Sequence, residues 1–142
     1  GELLGVTLGS PDVTLIAHDD GTVAVTAPAH WNTVVYDSGG HYTAATGIYL
    51  VPLTGTYAVS ASFGSDANVN VRHSIAILVD GVEVLKTQRQ QQITGVTEST
   101  SVHGLVRVTA GQTLSVDTYR ASGGWTMIPD EIWNYFTVHF VN

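Results

Sequence analysis

Apolar residues alternate with small or polar ones along almost the whole chain, and no segment sustains a 3.6-residue period. A period of two places successive side chains on opposite faces of an extended strand, so the pattern predicts half-buried strands and no long helix. In Tyr57-Ala-Val59-Ser-Ala61-Ser-Phe63 the odd positions carry the bulk and the even ones are Ala or Ser. Phe136-Thr-Val138-His-Phe140 follows the same scheme. Gly and Pro punctuate at short intervals, as in a sandwich or barrel of many short strands. Strands are expected at Val13–His18, Val23–Thr26, Thr33–Tyr36, Gly47–Val51, Gly55–Phe63, Ser74–Val79, Val82–Gln88, Thr100–Val108, Thr113–Tyr119 and Tyr135–Val141. The clearest hairpin is the one closed by Asp80-Gly81, two residues that tolerate the positive φ of a type I′ turn. Ala110-Gly111-Gln112 predicts a second tight turn. Gly64–Arg72 reads as a polar loop and Arg120–Trp133 as a long loop with two of the three tryptophans.

One continuous run, from Trp31 to Phe63, sets turns and strands in a fixed order. Trp31-Asn-Thr-Val-Val-Tyr36 ends a strand, and Asp37-Ser-Gly39-Gly40 turns the chain before Tyr42. Thr46-Gly47-Ile-Tyr49 follows, then Pro52, Gly55 and Tyr57. This order resembles the signature of the C1q/TNF-like jelly-roll superfamily. The resemblance continues through Ile75-Ala-Ile77-Leu-Val79-Asp80-Gly81, through Leu105-Val-Arg-Val108-Thr-Ala-Gly111-Gln-Thr-Leu114-Ser-Val116, and through the aromatic last strand Tyr135-Phe-Thr-Val-His-Phe140. It implies an all-β, ten-stranded, two-sheet jelly-roll sandwich that forms a homotrimer. It also implies that Tyr57, Phe63, Phe136, Val138 and Phe140 lie in the core or at the trimer interface. Period-two patterning does not say which face points to the threefold axis. The chain departs from many animal members in lacking cysteine and in its last strand, which favours a bacterial or viral relative.

Composition sharpens this picture. The 142 residues suit one domain, read as 13–142 after a linker or stem remnant over 1–12. Only 12% of residues are charged and 44% are hydrophobic, which suits a surface partly buried against copies of itself. A net charge of −7, with Lys86 the single lysine beside four arginines, argues against nucleic acid and against anionic membranes. No run reaches the roughly 18 apolar residues of a membrane-inserted helix. The chain begins at Gly1 rather than Met, as expected of a C-terminal piece of a longer protein. Richness in Ala, Val, Thr and Gly with almost no lysine suits a bacterial or bacteriophage source.

Candidate chemistry points to binding rather than catalysis. There is no cysteine nucleophile, no Gly-x-Ser-x-Gly elbow and no phosphate-cradling loop, so the chain is expected to be non-enzymatic. None of the six histidines pairs at i, i+2 or i, i+4 as local zinc ligands would. His103 and His139 lie mid-strand, where a threefold axis would triplicate them. Asp66-Ala-Asn68-Val-Asn70 imitates the start of a calcium loop, but Val71 and Ile77 replace the expected Gly and Glu. No cofactor is therefore expected, beyond the surface calcium that some C1q-like heads bind. Trp125 follows Gly123-Gly124 in a long loop, where an exposed indole would stack on a sugar or anchor a protein. Tyr119, Arg120, Trp133 and Arg72 complete the candidate ligand-binding set. The leading expectation is a trimeric recognition head of a bacteriophage tail fibre or minor tail protein, on the virion surface, binding a host-surface glycan or protein. The alternatives are a structural trimerisation or decoration knob, and the head of a bacterial collagen-like surface protein.

Overall fold

Two antiparallel sheets face each other across one apolar layer. The computed structural model describes the chain apart from residues 1, 4–5, 8–10, 21–27, 68–71, 91–97, 121–124 and 128–131; residues 2–3, 6–7, 66–67, 119–120 and 125–127 are described by backbone alone. After a two-residue pair, β1 (Glu2–Leu3) and β2 (Val6–Thr7), come β3 (Thr14–His18), β4 (Thr33–Asp37), β5 (Tyr42–Thr43), β6 (Ile48–Leu50) and β7 (Gly55–Ala67). These are followed by β8 (Arg72–Val79), β9 (Val82–Gln90), β10 (Glu98–Val108), β11 (Thr113–Arg120), β12 (Trp125–Met127) and β13 (Tyr135–Phe140). One sheet runs β10-β7-β13-β3-β4, with β12 added to the far end of β7, and the other runs β5-β6-β11-β8-β9. This is the all-β two-sheet jelly roll that the strand pattern predicts.

Alternation along β7 decides which residues fill the layer. Tyr57, Val59, Ala61 and Phe63 point between the sheets and are essentially fully buried. From β13, Phe136 and Val138 join them at 0% exposure. The opposing sheet contributes Tyr49, Ile75, Ile77, Leu114 and Val116. Phe140 is half-buried and meets the Tyr57 ring edge-on at 5.3 Å. Thus Tyr57, Phe63, Phe136 and Val138 pack inside a single copy. Trp31 is also sealed in, its backbone N–H donating to the Tyr42 hydroxyl at 2.9 Å and its ring 6.3 Å from that of Phe136. Burial pushes the Tyr42 phenol up to about 12 against that hydrogen bond.

The turns follow the sequence closely and the polar loops do not. Asp80 (φ 49°) and Gly81 (φ 79°) both take the positive φ of a type I′ hairpin. The Asp80 carboxylate also accepts from the Thr113 N–H at 2.9 Å, tying the hairpin to β11. The segment Gly64–Arg72, expected as a loop, is partly strand: β7 runs on to Ala67 and β8 begins at Arg72. Backbone pairing decides this, because Gly64 and Ser65 pair with Ser99 and Glu98. Likewise Trp125–Met127 is not loop but strand, held by Ala67, Asp66 and Ser65. The expected strand at Val23–Thr26 lies outside the described residues. Two bulges bend the borders of the sheets. Val35 is the extra residue of β4 between the pairs Ile16–Tyr36 and Ala17–Val34, and Val84 is the extra residue of β9 between Ile77–Leu85 and Leu78–Glu83.

A polar clamp secures the entry to β13. Asn134 is fully buried; its side-chain oxygen accepts from the Gly64 N–H at 2.9 Å, and its amide donates to the Asp19 carbonyl at 3.1 Å. Trp133 beside it lies over Gly64, where a Cβ would come within 2.9 Å of the Trp133 Cβ, so only glycine admits this packing. At the same end the core turns polar. His73 has no exposed surface and sits 6.1 Å from the Phe63 ring. Arg89, its register partner, is ion-paired with Glu98 and donates through Nε to the Thr100 hydroxyl at 3.1 Å. Burial lowers the affinity of His73 for a proton, the Arg89 charge adds to this, and Glu98 opposes it.

Two outcomes follow for stability. Replacing Asn134 by Ala orphans a buried N–H and a buried carbonyl, each costing about 1–3 kcal/mol, so the urea midpoint falls with unchanged slope; an unchanged midpoint would refute the clamp. His73 has a folded pKa below its unfolded value of 6.5. The stability it contributes is therefore fully present above pH 6.5 and lost as pH falls from there towards its folded value. Denaturant titrations at about pH 7.5 and about pH 5.5 should show a larger loss for the parent than for His73→Gln.

Candidate recognition surface

Every second residue of the β7 sheet points away from the core, and register sorts these residues into rows. One row runs His103, Ser60, Thr137, Ile16, Tyr36. The next runs Leu105, Ala58, His139, Thr14, and the one on the other side runs Ser101, Ser62, Tyr135, His18. The central strand β7 supplies only Ala and Ser here, so larger groups on β10 and β13 stand above it. They wall a cavity of about 320 Å³, lined by Ala58, Ser60, His103, Leu105, Thr137 and His139. Ser60 and Thr137 are hydrogen-bonded across its floor.

The electrostatics of this face differ from those of the chain. The protein carries −7, yet these three rows contain no carboxylate. Asp12 stands at the rim, accepting from the Tyr36 and Thr14 hydroxyls. The Tyr36 hydrogen bond, then that of Thr14, holds the Asp12 carboxyl below the usual carboxylate range. The His139 Nδ1 is 3.1 Å from the same Thr14 hydroxyl. Leu105 is 66% exposed and Val35 61%, next to Tyr36 and Val34. Burying such apolar area is favourable at about 25 cal/mol per Å², and rows without carboxylates add little repulsion against it.

The residues singled out in the sequence gather at one end of the sandwich. Trp125 pairs through its backbone with Ala67 near the end of β7, and Trp133 sits over Gly64 three residues earlier, 37% exposed. Tyr119 and Arg120 end β11 opposite Ser74 and His73, and exposed Arg72 opens β8 opposite Gln90. The side chains of Trp125, Tyr119 and Arg120 lie outside the described residues. So does Asn68–Asn70 of the calcium-like segment. Among the described residues no three His, Asp or Glu side chains are placed to hold a metal ion, and no helix is long and apolar enough to cross a membrane.

Sequence reasoning missed the shallow cavity, although its signal was present. The Ala and Ser at even positions of β7 mark a strand whose second face is lined by small side chains. Which neighbours stand over that face depends on register, which a single strand does not encode.

Comparison with known proteins agrees with this architecture. The C1q domain family matches residues 15–139. The solved structure of Eiger TNF from S. frugiperda superposes with a TM-score of 0.67 at 15% identity, covering 94% of each chain, and so shares the fold. No curated protein matches the sequence. With strand order, core and family match in agreement over nearly its whole length, the chain belongs to the C1q domain family, within the C1q/TNF-like jelly-roll superfamily.

Proposed function

We propose that this domain is a non-enzymatic, homotrimeric recognition head that works outside the cell, on a bacteriophage tail fibre or minor tail protein, and binds the host surface. The observation that carries the trimer is that the three central rows of the β7 sheet's outer face bear no carboxylate in a chain of charge −7, with Leu105 and Tyr36 exposed among them. C1q/TNF-like domains are binding modules that assemble as homotrimers, which supports the same reading. In such an assembly the three copies present identical ends. Trp125, Tyr119, Arg120, Trp133 and Arg72 all belong to one end of the sandwich, so nine indole or phenol rings and six guanidinium groups would be grouped on a rigid trimer. Three weak sites held this way gain avidity for a repetitive glycan or surface protein. The cysteine-free, lysine-poor composition supports placing the domain on a virion rather than in an animal complement-type protein.

Native mass tests the assembly. Light scattering should give three 15.0 kDa chains, and Leu105→Glu should give a folded monomer, since it buries an unpaired charge in the contact. A parent protein that is monomeric at high concentration would defeat the trimeric reading. Cell-binding assays test the head. With mass and spectrum unchanged, Trp125→Ala or Trp133→Ala should weaken binding to intact host cells by at least about tenfold, the effect of losing an aromatic anchor. Unaltered binding by both variants would leave the domain a structural knob.

A further inference from the structure

A second cavity lies on the opposite side of the molecule, on the outward face of the β8 sheet. Thr113, Ser115 and Asp117 alternate along β11 and so share that face. With Pro28, Ile48, Leu78 and Gly81 they line a cavity of about 240 Å³. That is below the roughly 300–1,000 Å³ of sites for drug-sized ligands, and suits a single side chain or a small molecule. No aromatic ring among the described residues lines it, so those residues offer no stacking platform of the kind typical of a sugar site.

Its polar groups are few and specific. Ser115 is only 2% exposed and lines the cavity. A serine hydroxyl can accept a hydrogen bond from a cationic ligand in such a cavity. Asp117 stands two residues along the same strand face, half-buried, with no basic group within ion-pair distance among the described residues. Burial first, and then the nearby Glu83, raise the Asp117 carboxyl above its ordinary value, while Lys86 opposes them. Lys86 is itself engaged by Glu83 at 3.2 Å. Around the cavity two carboxylates thus stand near one ammonium, and Asp117 is the carboxylate that lines it.

We infer that this cavity is a binding site for an alkylammonium group of lysine side-chain size. The ammonium sits between the Asp117 carboxylate and the Ser115 hydroxyl, which together take two of its three donors. The aliphatic stem lies along Pro28, Ile48 and Leu78. The same chemistry serves a free small amine and a lysine of a partner protein. The site is on the sheet turned away from the face proposed for self-association and does not depend on that proposal.

Methyl NMR of the intact domain, observing Ile48 and Leu78, tests this with three probes: n-butylamine, Nα-acetyl-lysine methylamide, and the neutral Nα,Nε-diacetyl-lysine methylamide. Saturable shifts are expected with the two amines and not with the diacetylated compound. Asp117→Asn should weaken amine binding by about tenfold or more, as loss of a charge-assisted hydrogen bond does. Ser115→Ala, a smaller change, should weaken it severalfold and guards against a folding defect in the first variant. Tighter binding of the lysine derivative than of butylamine identifies a protein side chain as the ligand; equal binding identifies a free amine. Equal shifts from charged and neutral probes, or undiminished amine binding by folded Asp117→Asn, would overturn the assignment.

Discussion

The register of β7 against β10 and β13 is the constraint on which the rest of the structure rests. Eleven successive pairs align β7 with β10, from Gly55–Val108 to Ser65–Glu98. Six more align it with β13. A slip of one residue would carry Tyr57, Val59 and Phe63 out of the core and set Ala58, Ser60 and Ser62 in their place. The same slip would erase the shallow cavity, because its floor is made of those small residues. Core and outer face are thus two readings of one alternating strand, and neither can change without the other.

The polar end of the core shows a second trade. Over most of the layer the contacts are apolar and non-directional. Near β12 they become specific: Asn134 holds Gly64 and Asp19, Arg89 holds Glu98 and Thr100, and His73 lies among them. Such groups contribute little net energy compared with well-packed hydrocarbon, but they are costly when mispaired. They fix the geometry of the end that carries Trp133 and the backbone of Trp125. Directional bonds suit a place where side chains must be presented at set positions.

Much of this was legible in the sequence, for reasons tied to particular residues. The odd-numbered bulk from Tyr57 to Phe63 foretold a core strand, and Asp80-Gly81 foretold the turn between β8 and β9, because positive φ restricts residue type so strongly. The order of Gly, Pro and aromatic residues from Trp31 onward carried the family. What escaped notice was polar. Ser65 and Asp66 look like loop residues, yet pairing with β10 and β12 keeps them in a strand. His73, Thr100 and Asn134 look like surface residues, yet each is almost wholly enclosed. Their burial depends on partners distant in sequence, which local pattern does not register. The cavity beside Asp117 escaped for the same reason: Pro28 and Ile48 reach it from elsewhere in the chain.

The bulges at Val35 and Val84 bear on how such a molecule stays discrete. β4 and β9 are both border strands, and a straight border offers free N–H and C=O groups at the spacing that a foreign strand would match. One extra residue breaks that spacing and twists the border locally. A β-rich chain with so few charges would otherwise be prone to add copies edge to edge, growing into open fibrils through the backbone. With these two margins out of step, edge-to-edge growth through the backbone is disfavoured there, and any association is left to side chains.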